Sequence, residues 1–356
     1  MRRLLPFFIA VVVIACLELS IHLIGNGGLY NTDYFDFSPL QRDVLSKHVI
    51  YDKFVRVLGD VSSDAVQVGD SSGFYGVRPG DVLAGSQHVS YLNLSCCGDA
   101  GWNGYLYEAE LALRRHGNPK FLVLHVTPFW APASAQFYGD NQHAVLIRDY
   151  LLKINWWHQL RPPSAGYRLR VTNLVYHAKW LDDFAYDTHE WPTLGYPSIR
   201  AWRQQFLKER GWSPMPVDLK DLLIKDPKPA ACPIENAFSE TRYLGLVRDD
   251  SLYNYLQRFA LLARNYNARF VLVTNPVPCV IQNDTVSADI ARQMERFTGD
   301  FPDVIIPFPF LRQWPREMFS DRWHLNRVGA AHHSRLIGEA LRRSSEKSKS
   351  ATSNSF

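Results

Sequence analysis

Apolar and polar positions divide the chain into segments of different character. An almost unbroken apolar run fills Leu4–Ile24, with Glu18 and His22 towards its far end. Residues 39–58 place Leu40, Val44, Leu45, Val49, Phe54 and Val55 at helical spacing. Short apolar runs ended by glycine or proline turns then follow at 64–68, 91–95 and 121–126, and each predicts a buried strand. Residues 103–116, between the second and third strands, predict a helix. The rhythm lapses from 130 to about 245. It resumes with a helix over 250–266, a strand over 269–274, a helix over 285–298, a strand over 304–306 and a helix from about 327 to 343. The Ser/Lys-rich tail, 344–356, predicts disorder.

Strands alternating with helices at these lengths imply a parallel sheet. Reactive groups in such sheets collect in the loops at the strands' carboxyl ends. Gly69 to Ser71, Gly98 to Gly101, and Thr127 fall there. The expected organisation is a segment 1–25, one α/β domain over 26–343 interrupted by an insertion at 130–245, and a tail.

A membrane-spanning helix needs about 20 mostly apolar residues, and Leu4–Ile24 meets that length. Arg2 and Arg3 ahead of it favour a cytoplasmic N-terminus, with the remainder on the extracytoplasmic (periplasmic) side as a single-pass protein. A cleaved signal peptide is the rival. Lipidation at Cys16, after Val13-Ile14-Ala15, is a third reading. All three send the domain out of the cytoplasm.

With 46% apolar and 21% charged residues in 356, a sizeable core is available. The net charge of +4 comes partly from the chain ends, and no basic stripe with interleaved aromatics occurs, which argues against nucleic acid. Cys96, Cys97, Cys232 and Cys279 could pair in an oxidising compartment, in a pattern the sequence leaves open. No His/Cys cluster has zinc spacing, and no metal or cofactor is expected. Trp156, Trp157, Trp180, Trp191, Trp202 and Trp212 crowd the insertion. They suit either stacking on sugar rings or ordinary packing of a cap.

Two motifs carry chemistry. In Gly69-Asp70-Ser71, a serine on a tight turn after a strand presents its Oγ at the sheet edge, with its own N–H available to an oxyanion. Near the other end, Asp321-Arg322-Trp323-His324 sets a carboxylate three residues before an imidazole, and Asn326 suits the cap of the next helix. A serine nucleophile needs such a base, and the base needs such a carboxylate. Asp140 and His143 repeat the spacing inside the insertion, away from any strand end.

Together these motifs resemble the SGNH/GDSL hydrolase superfamily over about residues 60–128 and 250–343. The resemblance implies a flavodoxin-like three-layer α/β fold with Ser71 as nucleophile, His324 as base and Asp321 as orienting carboxylate. It implies an oxyanion-hole glycine at Gly98 or Gly101, Gly98 being preferred. The superfamily's third motif supplies an Asn, whereas here the strand ends in His125-Val126-Thr127-Pro128. Either Thr127 or His125 substitutes, or the insertion supplies the donor, or activity is weak; His125 equally suits a satisfied core histidine. The N-terminal apolar run, Gly-Asp-Ser-Ser and Asp-x-x-His-Leu-Asn resemble the envelope acyl-transfer branch, which includes alginate O-acetyltransferases and D-alanyl transfer proteins of teichoic acid. That branch implies a membrane-bound O-acyltransferase partner, a glycan substrate, and acyl transfer or hydrolysis through an acyl-serine.

Overall fold

The apolar runs pair into one parallel sheet, as expected of strands buried on both faces and therefore predominantly apolar. The strands are β1 (Ala65–Gly69), β2 (Tyr91–Asn93), β3 (Phe121–Val126) and β4 (Arg269–Thr274). Their order is β2-β1-β3-β4, all parallel, consistent with a flavodoxin-like arrangement. The expected strand at 304–306 contributes one parallel bridge, Val271 to Ile305, beside β4. This computed structural model describes residues 62–96, 98–115, 119–128, 207–213, 250–278, 284–321 and 324–353, with residues 9, 11–13, 16 and 53.

Among the described residues six helices flank the strands: α1 (Ser71–Gly76), α2 (Pro79–Ser86), α3 (Gly101–Arg115), α4 (Ser251–Asn265), α5 (Asp284–Asp300) and α6 (Arg327–Ser353). Side chains alternate across a strand, and the two faces bury different partners. Ala65, Phe121, Val123, Val271 and Val273 pack with Val82 of α2 and with Ile337 and Leu341 of α6. On the opposite face Phe270 stacks on Phe259 of α4 and meets Phe297 of α5 edge-on, while Trp102 of α3 meets Phe259. The result is three layers.

Two differences from the sequence reading concern helices. α1 overlaps the expected turn after β1, and α2 falls where no element is expected, because glycines interrupt both. In α2 and α6 those glycines serve close approach: a Cβ on Gly85 would lie 2.3 Å from the Arg335 carbonyl oxygen, and one on Gly338 would lie 2.2 Å from that of Val82. The tail is not wholly irregular either, since α6 runs on to Ser353. No glycine or proline follows Gly338 to stop it, and Arg342 pairs with Glu346 one turn on at 3.0 Å.

Among the described residues no helix is long and apolar enough to cross a membrane. The expected anchor lies outside them except for Ile9, Val11, Val12, Val13 and Cys16, which are helical and exposed. Of the expected insertion only residues 207–213 are described. The Arg210 carbonyl accepts from the Asn93 N–H at 3.1 Å, and the Trp212 indole donates to the Tyr75 carbonyl at 2.7 Å. From the region expected as a helix over 39–58 only Lys53 is described. It is buried, with its ammonium 4.2 Å from the centre of the Phe74 ring.

Candidate active site

The turn after β1 is set by Gly69, whose φ of 141° brings its Cα against β3. A Cβ there would lie 1.8 Å from the His125 carbonyl oxygen, so only glycine fits. Asp70 then caps α1, its Oδ1 accepting from the Ser72 N–H at 3.0 Å. Ser71 is therefore the first residue of α1. Amides of a first helical turn have no intrahelical acceptor, so the Ser71 N–H opens the helix at its positive end.

The second motif is shaped by a narrow loop. Phe319 and Leu325 form an antiparallel bridge, and the Ser320 N–H donates to the His324 carbonyl at 2.8 Å. Leu325 is buried with Phe319 and Ala330, which anchors the loop to the start of α6. As the sequence anticipates, Asn326 caps that helix: its Oδ1 accepts from the Val328 and Gly329 N–H groups, each at 3.0 Å.

The fold brings these two distant loops together. His324 Nε2 lies 2.9 Å from Ser71 Oγ. His324 Nδ1 lies 2.7 Å from Asp321 Oδ2, and the other carboxylate oxygen accepts from the His324 backbone N–H at 2.7 Å. With both oxygens engaged by one residue, the carboxylate has little freedom to turn away. Asp321 accepts a hydrogen bond from the His324 Nδ1–H and so leaves Nε2 to accept from the Ser71 hydroxyl, the tautomer that activation of a serine requires. The imidazole and carboxylate side chains are only 15% and 14% exposed, so the pair is screened while still reachable. Tyr75, on α1, meets the His324 ring edge-on at 5.2 Å.

The oxyanion donors expected from sequence fare differently. Thr127 is turned elsewhere. Its N–H donates to Asp70 Oδ2 at 2.7 Å, and its side chain also hydrogen-bonds that carboxyl. Asp70 is 1% exposed and draws in the donors around it. Burial pushes its carboxyl up, and the Ser72 and Thr127 donors pull the other way. His125 is fully buried too, with Nδ1 3.3 Å from Ser72 Oγ and Nε2 3.0 Å from His333 Nε2. Both residues are thus engaged in the interior, Thr127 by Asp70 and His125 by Ser72 and His333. Gly98 opens a short 3-10 turn, and a Cβ on it would meet nothing within 4 Å. Left-handed backbone falls instead at Gly101, with φ 64°.

Residues around Asp70 carry no sequence signal for their partnership. His333 lies 208 residues beyond His125, in α6, and Arg312 in an irregular stretch before it. Only Asp70 was legible in principle, as an Asp preceding a helix start. Among the described residues no three His, Cys, Asp or Glu side chains gather to hold a metal ion. Asp140 and His143 lie outside the described residues.

In comparisons with known proteins, no family model and no curated protein matches this chain.

Proposed function

We propose that this chain is an extracytoplasmic serine acyltransferase or esterase of SGNH type that moves or removes an acyl group, acetyl in the simplest case, on an envelope glycan. One observation carries the reading: the continuous Ser71–His324–Asp321 hydrogen-bond chain, at 2.9 and 2.7 Å, formed from the two sequence motifs.

The chemistry follows from that geometry. Ser71 Oγ attacks the acyl carbonyl while its proton passes to His324 Nε2. Asp321 stabilises the imidazolium that forms. The oxyanion meets the Ser71 N–H at the start of α1, with Gly98 as the candidate second donor. The departing alkoxide takes the proton back from His324 and leaves an acyl-serine. A sugar hydroxyl, or water, then gives its proton to His324 and attacks the ester, which frees Ser71.

Two further observations support the location. Cys96, in the loop after β2, is disulfide-bonded, which fits an oxidising compartment. The described residues of the apolar N-terminal run are helical and about half exposed, as a membrane anchor requires. In this reading a membrane-bound O-acyltransferase supplies the acyl group. A second reading is a non-catalytic SGNH-like protein that binds glycan or scaffolds an export complex. It is favoured by the commitment of Thr127 to Asp70, because loss of one oxyanion donor costs on the order of 100- to 1000-fold in rate.

The test is to give the full chain, in detergent, a chromogenic acetyl ester and to quench it for mass spectrometry. The expected result is an added acetyl group on the peptide bearing Ser71, absent in Ser71→Ala. Equal turnover by the two proteins, with no acetylated peptide, refutes the catalytic reading and leaves the second.

A further inference from the structure

A second hydrogen-bond chain leaves the nucleophile turn in the opposite direction, into the interior. Ser72 Oγ donates to Asp70 Oδ1 at 2.5 Å and lies 3.3 Å from His125 Nδ1. His125 Nε2 is 3.0 Å from His333 Nε2, and His333 Nδ1 is 2.9 Å from the Arg312 guanidinium. Asp70, Ser72, His125 and His333 are all buried. Arg312 is half-buried, clasped between the rings of Phe308 and Trp314 at 4.0 and 4.6 Å. Its backbone is fixed as well: the Arg312 carbonyl accepts from Val277 N–H at 2.9 Å, beyond the end of β4.

The proton positions follow from one end. A guanidinium only donates, so His333 Nδ1 must accept, and the His333 proton sits on Nε2. That proton points at His125 Nε2, so the His125 proton sits on Nδ1. It is directed at Ser72 Oγ, whose own hydrogen is left for Asp70. His333, His125 and Ser72 each then donate once along the series, and a single cation sets its direction. Doubly protonated imidazoles would break the sequence. Burial and the nearby Arg312 charge hold His125 down at about 3 and His333 well below its ordinary value, so both rings are neutral near pH 7.

We propose that Arg312, His333 and His125 are positioning residues for the nucleophile: acting through Ser72, they fix the Asp70 carboxylate that caps α1 and thereby the placement of Ser71 and its open N–H. The proposal rests on Ser71 being the nucleophile. A buried polar chain of this length costs desolvation that apolar packing avoids. Its distinctive product is orientation, since the Asp70 carboxylate receives Ser72 on one oxygen and Thr127 on the other.

The test uses the full chain in detergent and two readouts. Nitrogen-15 NMR of the imidazoles should find the Nδ1–H tautomer at His125 and the Nε2–H tautomer at His333. A fluorophosphonate, which forms a Ser71 Oγ–phosphorus bond as fluoride leaves and the serine proton passes to His324, reports nucleophile placement without any acyl donor. Arg312→Met keeps the stem between the two rings and removes the donor. It should label about 10- to 100-fold more slowly, as expected for one charged hydrogen bond, and Arg312→Lys should recover most of that loss. Labelling of folded Arg312→Met at the parent rate overturns the proposal, as does the Nδ1–H tautomer at His333. A parent protein that never labels at Ser71 sinks the nucleophile reading and this proposal with it. Labelling of the parent together with an indifferent Arg312→Met sinks the proposal alone.

Discussion

Two hydrogen-bond chains start from adjacent residues and have opposite characters. One runs outward from Ser71 through His324 to Asp321, part-exposed and built from two loops. The other runs inward from Asp70 through Ser72, His125 and His333 to Arg312, and all but its last member are buried. In the outward chain the acceptor carboxylate lies three residues from its imidazole, so a local loop supplies the geometry. In the inward chain the partners come from β3, α6 and the stretch between β4 and α6, so only the assembled core supplies it. The difference teaches that adjacent polar residues can belong to separate systems, one reaching towards solvent and one sealed in the core.

Substitutions should separate the two. The largest effect belongs to Ser71→Ala, which removes the reacting oxygen. An acetyl-ester assay should lose on the order of 10⁶-fold in kcat, while urea denaturation shifts by less than about 0.5 kcal/mol. Asp321→Asn should cost about 10⁴-fold, because an amide in place of the carboxylate favours the wrong imidazole tautomer. A pH–rate profile that leaves Asp321→Asn equal to the parent would remove Asp321 from the outward chain.

The inward chain should appear in acid stability. An unfolded histidine takes up a proton near the ordinary value of 6.5, while buried His125 does so only at about 3. Stability is therefore full above 6.5 and falls with pH towards 3. The slope is roughly 1.4 kcal/mol per pH unit for each such ring. Urea midpoints between pH 6.5 and 5 should fall less steeply in His333→Gln, by about one ring's contribution. Buried Glu108, whose carboxyl is pushed well up, contributes with the opposite sign in both proteins and cancels in the difference. The smallest effect is at the outward chain's support. Asn326→Ala loses the α6 cap and should cost about 1 kcal/mol, with a modest loss of activity as the loop holding His324 loosens.

Legibility in the sequence followed local chemistry. The β3 and β4 runs coincide with the observed strands, residue for residue, because doubly buried strands are predominantly apolar. α3, α4 and α5 fall within two residues of expectation because their apolar positions recur at helical spacing. α1 and α2 carry little helical signal because Gly73, Gly76, Gly80 and Gly85 interrupt them. The pairing of Thr127 with Asp70 has no local signal, because the two lie 57 residues apart.

By itself the sequence determined the four strands, the serine turn after the first of them, and the Asp-x-x-His loop with its Asn cap, since each depends on residues within a few positions of one another. Tertiary structure alone decided that the imidazole of one loop reaches the serine of the other across 253 residues. It also decided that Thr127 bonds Asp70, that His125 lies between Ser72 and His333, and that Arg312 ends the buried series. Those outcomes depend on strand order and helix packing, which set distances between residues that have no neighbourhood along the chain.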